Sequence, residues 1–270
     1  MAKGEAKAGG RALRGRAGRM QNGRGSGRAS TGMVRLWGRH AVEAALLNPD
    51  RKHHKLWATR EGVDSLNGEL PADFPVEWAQ AADLGRLVAR DAPHQGLVLE
   101  CDALEDVYLS DVLEGEPSRP ILVLDQVTDP HNVGALMRTA AAFDAVAVVT
   151  QDRHAPVESG TLAKSASGAL EIVPWVRVVN LARALEEIAD AGYWRIGLAG
   201  EAEMTLADAL PAGPVALVLG AEGEGMRHNI TQHCDALARL PISDAMESLN
   251  VSNAGAVALY AVATRQVAGE

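Results

Sequence analysis

The 270-residue chain is poor in cysteine and in aromatic side chains, with two cysteines, two phenylalanines, three tyrosines and five tryptophans. Cys101 and Cys234 stand far apart and neither belongs to a C-x-x-C, which argues against a disulfide framework or a zinc site and leaves two buried thiols as the expectation. Although 47% of the residues are hydrophobic, no apolar run approaches the ~18 residues of a spanning helix, so a soluble protein away from membranes is expected. The opening MAKGEAKAGG lacks the apolar segment of a secretion signal, and a cytoplasmic location is expected. G-x-G-x-x-G, the P-loop and G-x-S-x-G are all missing, which counts against a dinucleotide-dependent oxidoreductase, a nucleotide triphosphatase and a serine hydrolase. His53, His54 and His94 lack carboxylate or thiol partners at ligand spacing, so no metal is expected.

What is present in quantity is charge, unevenly spread. Residues 1–32 hold eight basic groups against Glu5, a net of +7, which leaves the rest of the chain at -16 within a total of -9. That first segment is Gly, Ala, Arg and Ser with almost no large apolar side chain, so it cannot offset its ordering entropy and reads as a disordered basic tail. Such tails track phosphate backbones, and RNA contact is favoured over folding back on the acidic body.

Residues 33–102 read as a small α/β unit. GRHAVEAALL is a short helix ended by Asn48-Pro49, the segments at 55–59 and 76–79 are strands, AADLGRLVAR is a helix and HQGLVLEC a closing strand. This unit carries little chemistry and suits binding. Residues 103–119 turn acidic and end among Gly115, Pro117 and Pro120, a linker with one helical turn at 109–113.

The second unit, 120–270, opens on ILVLDQVTDPHNVGALMRTAAAF. Residues 121–125 predict a buried strand, and Val133, Leu136, Met137, Ala140 and Ala141 fall at helical spacing, with Asn132 at the expected N-cap and Gly134 and Arg138 together on the opposite face. Strand AVAVVT follows, making a β-α-β unit of a parallel sheet. Then come a small-residue helix in TLAKSASGAL, a strand pair broken at Pro174, the amphipathic LARALEEIADAG, and strands in YWRIGLAG and VALVLG. The last of these runs into AEGEGMR, whose Gly220, Gly223 and Gly225 leave backbone N–H groups open to a ligand, with Glu222 among them. Finally Ser248, Asn250 and Ser252 precede a small-residue helix from about Asn253, suited to deep burial or to a subunit interface.

Three ordered segments, N-x-G-x-x-x-R (132–138), G-A-E-G-x-G-M (220–226) and P-x(6)-S-L-N-V-S (241–252), resemble the motifs of the SpoU (TrmH) branch of the SPOUT RNA 2'-O-methyltransferases. GRHAVEAAL and HQGLVLE resemble the start and end of that family's L30e-like substrate-binding domain, and VTDPHNVGA with GAEGEGMR is most similar to the 23S rRNA guanosine-2'-O-methyltransferases.

That resemblance implies an α/β trefoil-knot methyltransferase domain behind an L30e-like α/β domain, a rare exception to the rule against knots. It implies S-adenosyl-L-methionine as cofactor, held largely by backbone around Leu219, Gly220, Leu240 and Leu249, and a homodimer paired through knot helices. Asn132, Arg138, Glu222, Ser248 and Asn250 would line the reaction site, with Asn132 and Glu222 orienting the Arg138 guanidinium. Arginine, with a pKa above ~12, serves better as a phosphate anchor and alkoxide stabiliser than as a base. Asp244 and Glu247 depart from the family pattern and place acid on an RNA-facing loop. The expected activity is ribose 2'-O-methylation of a guanosine in 23S rRNA; the alternatives are a tRNA ribose methyltransferase and a non-catalytic RNA-binding or ribosome-assembly protein.

Overall fold

The computed structural model describes residues 32–268 apart from 69, 71–73 and 116, so the basic tail lies outside the described residues save for its last glycine. The amino-terminal half is built from β1 (Met33–Trp37), α1 (Arg39–Leu47), β2 (His53–Ala58), α2 (Arg60–Asp64), β3 (Val76–Trp78), α3 (Ala81–Leu84) and β4 (Leu97–Asp102), followed by the single turn α4 (Leu109–Val112). The strands form one sheet in the order β1-β4-β2-β3. Strand β1 was not expected. Its MVRLW looks like the end of a polar tail until it pairs antiparallel with β4, Leu36 opposite Leu99. The helix expected in AADLGRLVAR is only α3, because Gly85 ends it.

The second half runs β5 (Ile121–Leu124), α5 (Pro130–Ala142), β6 (Ala147–Gln151), α6 (Gly160–Ala166), β7 (Trp175–Val178), α7 (Leu181–Asp190), β8 (Trp194–Leu198), α8 (Leu206–Ala209), β9 (Val215–Leu219), α9 (His228–Thr231), β10 (Ala236–Ala238) and α10 (Val251–Ala268). Its six strands are all parallel, in the order β10-β8-β9-β5-β6-β7. Central strands of a parallel sheet are covered on both faces, which is why β5 and β9 read ILVL and VALVL and are buried at every position. Only one strand forms where two were expected around Pro174, since Val173 closes a helical turn onto Ala169 before β7 begins.

Helix α5 starts earlier than expected. Asp129, not Asn132, is its N-cap, accepting from the His131 N–H at 2.9 Å, and Pro130 occupies the first turn, where a missing N–H costs nothing. Gly134 is not on an outer face: a Cβ there would come within 2.5 Å of the Leu162 carbonyl oxygen, so its bareness lets α6 pack against α5. Cys101 is buried and Cys234 only partly so, and burial pushes both thiols up to about 12, which leaves neither available as a thiolate near neutral pH.

The two sheets are joined by a buried ionic core. Arg51, ahead of β2, reaches Glu158 at 2.5 Å and Glu171 at 2.5 Å in the second half, and donates to the Asp102 carbonyl at 2.9 Å. Beside it, Gly160 at the start of α6 leaves room for the Trp37 indole. No described helix is long and apolar enough to cross a membrane.

Candidate active site

Strand order reverses between β5 and β9: β6 and β7 extend the sheet on one side, β8 and β10 on the other. Above the carboxyl ends of two such strands an open α/β sheet leaves a crevice for ligands. Asp125 and Gly220 emerge into it.

Asp125 is fully buried and accepts from the Arg227 N–H at 2.8 Å, its Nε at 2.8 Å and its Nη2 at 2.6 Å, while the same Nη2 donates to Gln151 Oε1 at 2.8 Å. These bonds fasten the far end of the glycine loop to β5 and β6. Sequence reasoning passed over this pair, though a carboxylate ending an all-apolar strand was a signal, since a buried charge must be matched.

Between these anchors the loop folds on itself. Ala221 N–H donates to the Gly225 carbonyl at 3.1 Å and Gly225 N–H to the Ala221 carbonyl at 2.9 Å, with Gly223 (φ 81°) and Gly225 (φ 68°) in the left-handed region. A Cβ on Gly220 would overlap the backbone of Gly225 and Met226. The glycines therefore serve the turn, and the Gly225 N–H, one of those expected to face a ligand, is used within it.

The hairpin holds out Glu222. Its Oε1 accepts from Asn132 Nδ2 at 3.1 Å, from Asn250 Nδ2 at 2.5 Å and from the Val251 N–H at 3.3 Å, and Asn250 Nδ2 also reaches Asn132 Oδ1 at 3.0 Å. Asn250 meanwhile caps α10 by accepting from the Ser252 N–H at 2.9 Å. One residue from each of the three sequence segments thus meets in a single triangle over the β5–β9 crevice. Arg138 and Ser248 are not in it. Arg138, further along α5, is exposed and has no side-chain hydrogen bond or ion pair among the described residues, so Asn132 and Glu222 do not orient it within this chain. Ser248 lies in the wholly exposed stretch 241–250.

Leu219 is buried at the end of β9 with Gly220 after it, Leu240 follows the carboxyl end of β10, and Leu249 precedes Asn250 of the triangle. No hydrogen bond among the described residues uses the backbone of Leu240, Ser248 or Leu249. Aliphatic walls with unused backbone donors and acceptors fit a nucleoside, whose flat base needs both. Among the described residues no three His, Cys, Asp or Glu side chains are grouped to hold a metal ion.

Comparison with known proteins bears on the same segments. A family model described as SpoU rRNA Methylase family matches residues 119–260, and one described as RNA 2'-O ribose methyltransferase substrate binding matches residues 35–107. The 23S rRNA (guanosine-2'-O-)-methyltransferase RlmB of Ralstonia nicotianae is 48% identical over 241 residues, 86% of this chain and 96% of that protein. The protein of the same name from Pseudomonas aeruginosa is 40% identical over 237 residues, covering 84% and 95%. In fold, the chain resembles the SpoU methyltransferase AviRb from Streptomyces viridochromogenes, solved in complex with the cofactor AdoMet, with a TM-score of 0.72, 21% identity and coverage of 88% and 92%.

Proposed function

The chain belongs to the SpoU rRNA methylase family, and from that premise we propose that it is an S-adenosylmethionine-dependent ribose 2'-O-methyltransferase acting on a guanosine of 23S rRNA. The observation that carries the reading is the Asn132–Glu222–Asn250 triangle, which joins all three motif segments where the sheet offers a ligand crevice. Residues 33–102 would dock the RNA, 103–119 link, and 120–270 perform the transfer in the cytoplasm, with the tail of residues 1–32 adding phosphate contacts.

Leu219, Gly220, Leu240 and Leu249 would hold the cofactor. When bound, S-adenosylmethionine supplies an electrophilic methyl group, and what is left to the protein is alignment and charge. Glu222, with one oxygen engaged three times, acts as the organiser that holds α5, the glycine hairpin and the start of α10 together. Asn132 and Asn250 act through that contact, positioning the loop that carries Ser248 and Leu249. Ser248, whose hydroxyl is free among the described residues, would meet the ribose or the cofactor. Arg138, a free guanidinium, would bind the adjacent phosphate and stabilise the alkoxide as the 2'-hydroxyl loses its proton.

The homodimer belongs to the same proposal. Asn253, Val257, Tyr260 and Thr264 line one face of α10; Val257 is 47% exposed and Tyr260 59%. Apolar exposure of that kind on one stripe of a long helix suits a second copy of the chain. A trefoil knot is supported by the course of 239–250 from β10 to α10, which packs on α5 and β9 with Gly255 against Leu136 and Leu219.

The test is methylation of rRNA and tRNA from a deletion strain with labelled S-adenosylmethionine, followed by nucleotide mapping. Label on one 23S guanosine supports the reading. Label on tRNA alone would move the substrate to tRNA, and cofactor binding without transfer to either would favour a non-catalytic RNA-binding protein.

A further inference from the structure

The polar surface does not stop at the triangle. His131 precedes Asn132 on α5, and its Nδ1 lies 3.1 Å from Ser165 Oγ on α6. Next to Ser165 is Lys164, whose ammonium donates to the side-chain oxygen of Gln95, in the loop before β4. The same oxygen accepts from the Arg39 N–H at 3.2 Å, at the start of α1, where Gly38 has no side chain to act as cap. Gln95 (φ 53°) and Gly96 (φ 76°) are both left-handed, and the Gly96 carbonyl accepts from the Thr59 N–H at 2.9 Å. Arg60 follows, its guanidinium 5.4 Å from the ring centre of Trp78, which is 56% exposed on β3. Every step is a contact or a peptide bond, so one path runs from the active-site crevice across the junction of the two sheets to the outer strand of the first.

The cations on this path are mostly left without carboxylates among the described residues, as is Arg138 at the crevice itself. Arg35, Arg51, Arg177, Arg195 and Arg227 are each paired with a carboxylate. Lys164 and Arg60 have no carboxylate partner among the described residues, and Arg39 has only Glu43 at 3.8 Å. Room has also been made for one of them: a Cβ on Gly38 would come within 2.6 Å of Lys164 Nζ and 2.7 Å of its Cδ. Burial lowers the pKa of this lysine, a cost that a neighbouring anion would reverse.

We propose that this path is the track along which a single RNA strand passes between the amino-terminal unit and the methyl-transfer site, with Lys164 and Arg60 binding phosphates and Trp78 stacking a base. The inference rests on reading the chain as an RNA methyltransferase and assigns the side chains that present the strand to it. A single strand fits better than a duplex, because an exposed indole beside a guanidinium offers a stacking platform that only unpaired bases can use.

Lys164→Met keeps the aliphatic length against Gly38 and removes the charge, while Arg60→Met and Trp78→Ala change exposed positions. Binding of a fluorescent 23S rRNA fragment, measured as a salt series, reads the track directly. Lys164→Met/Arg60→Met should lower the slope of log K against log salt by about 1.4, two phosphate contacts at ~0.7 each. Its KM for RNA should rise while kcat at saturating RNA and the affinity for S-adenosylmethionine hold. Trp78→Ala should weaken binding with no change of slope. Lys52→Met, at the opposite end of β2, is the matched control and should leave the slope alone. An unchanged slope in the double variant, or an equal drop in the control, overturns the track. Because RNA binding is read apart from turnover, a wild-type protein that binds along the track without methylating would count against the reaction alone.

Discussion

Replacing Arg51 by methionine should weaken the protein more than any exposed substitution, and the amount can be worked out from its surroundings. The Arg51 side chain is 0% exposed, with Glu158 at 2% and Glu171 at 4%. Burial opposes the guanidinium's charge, but hydrogen bonds and attraction from Glu171 and Glu158 outweigh it, and the net effect raises the arginine's pKa. With one cation between two carboxylates the cluster is already one negative charge in excess, so methionine would strand two buried carboxylates. Breaking a buried pair from one side costs ~3–5 kcal/mol. The lower end is expected, about 3 kcal/mol, because Glu158 keeps the Leu104 N–H at 2.9 Å and Glu171 keeps Asn48 Nδ2 at 2.7 Å. Against a total stability of ~5–15 kcal/mol that is a large fraction. Urea unfolding followed by tryptophan fluorescence measures it, since Trp37 lies at the same junction. Arg51→Met/Glu158→Gln/Glu171→Gln removes the stranded charge and should recover most of the loss. A single variant within about 1 kcal/mol of wild type, well short of the expected penalty, or a triple variant no more stable than the single, would refute the reasoning.

Arg138→Ala should lower single-turnover methylation by ~10² or more while S-adenosylmethionine affinity stays near wild type. Arg138→Lys, which keeps charge but loses the planar fork, should stay severely impaired, and near-normal rates in both would return Arg138 to the solvated surface. Glu222→Ala should reduce cofactor affinity by about ten- to a hundredfold in calorimetry, as expected for charged hydrogen bonds. Glu222→Gln, which retains an acceptor, should lose less; equal losses would count against the organising role. Val257→Glu should give a monomer by sedimentation, and an unchanged dimer would move the interface off α10. Asp235 tests pH dependence: hydrogen bonds from Arg195, against the opposing effect of burial, hold its carboxyl below the ordinary value. Its folded pKa lies below its unfolded one, so the stabilisation is complete above ~4 and lost as pH falls through the folded value. Asp235→Asn should therefore be less stable than wild type at neutral pH and converge with it in acid; a constant gap down to about pH 2 would contradict the linkage.

Much of the architecture was written locally. The runs ILVL and VALVL could only be covered strands, LARALEEIADAG could only be an amphipathic helix, and Gly192 (φ 90°) stops it as its type suggests. The helix after β5 shows where local rules compete: Asn132 suits an N-cap by type, but Asp129 followed by Pro130 is the stronger helix start and takes the cap. Once Asp129 takes that task, Asn132 is free to reach Glu222. Gly134, expected with Arg138 on the face away from the apolar stripe, is instead covered by α6.

The amino-acid sequence by itself determined the central strands of the second sheet, the alternation of strands and helices and the three segments that would share a site, because each depends on neighbours a few residues apart and on side-chain chemistry that does not need a partner to be recognised; β1 and β10 became strands only by pairing with β4 and β8. What only the tertiary structure decided are the pairings: Asp125 with Arg227, Arg51 with Glu158 and Glu171, and Lys164 with Gln95. Strand order decides which of the many acids faces which of the many bases, and burial decides which of those encounters matter. Neither spacing nor composition carries that information, since a charge left in water costs little and the same charge enclosed by two sheets must find its match.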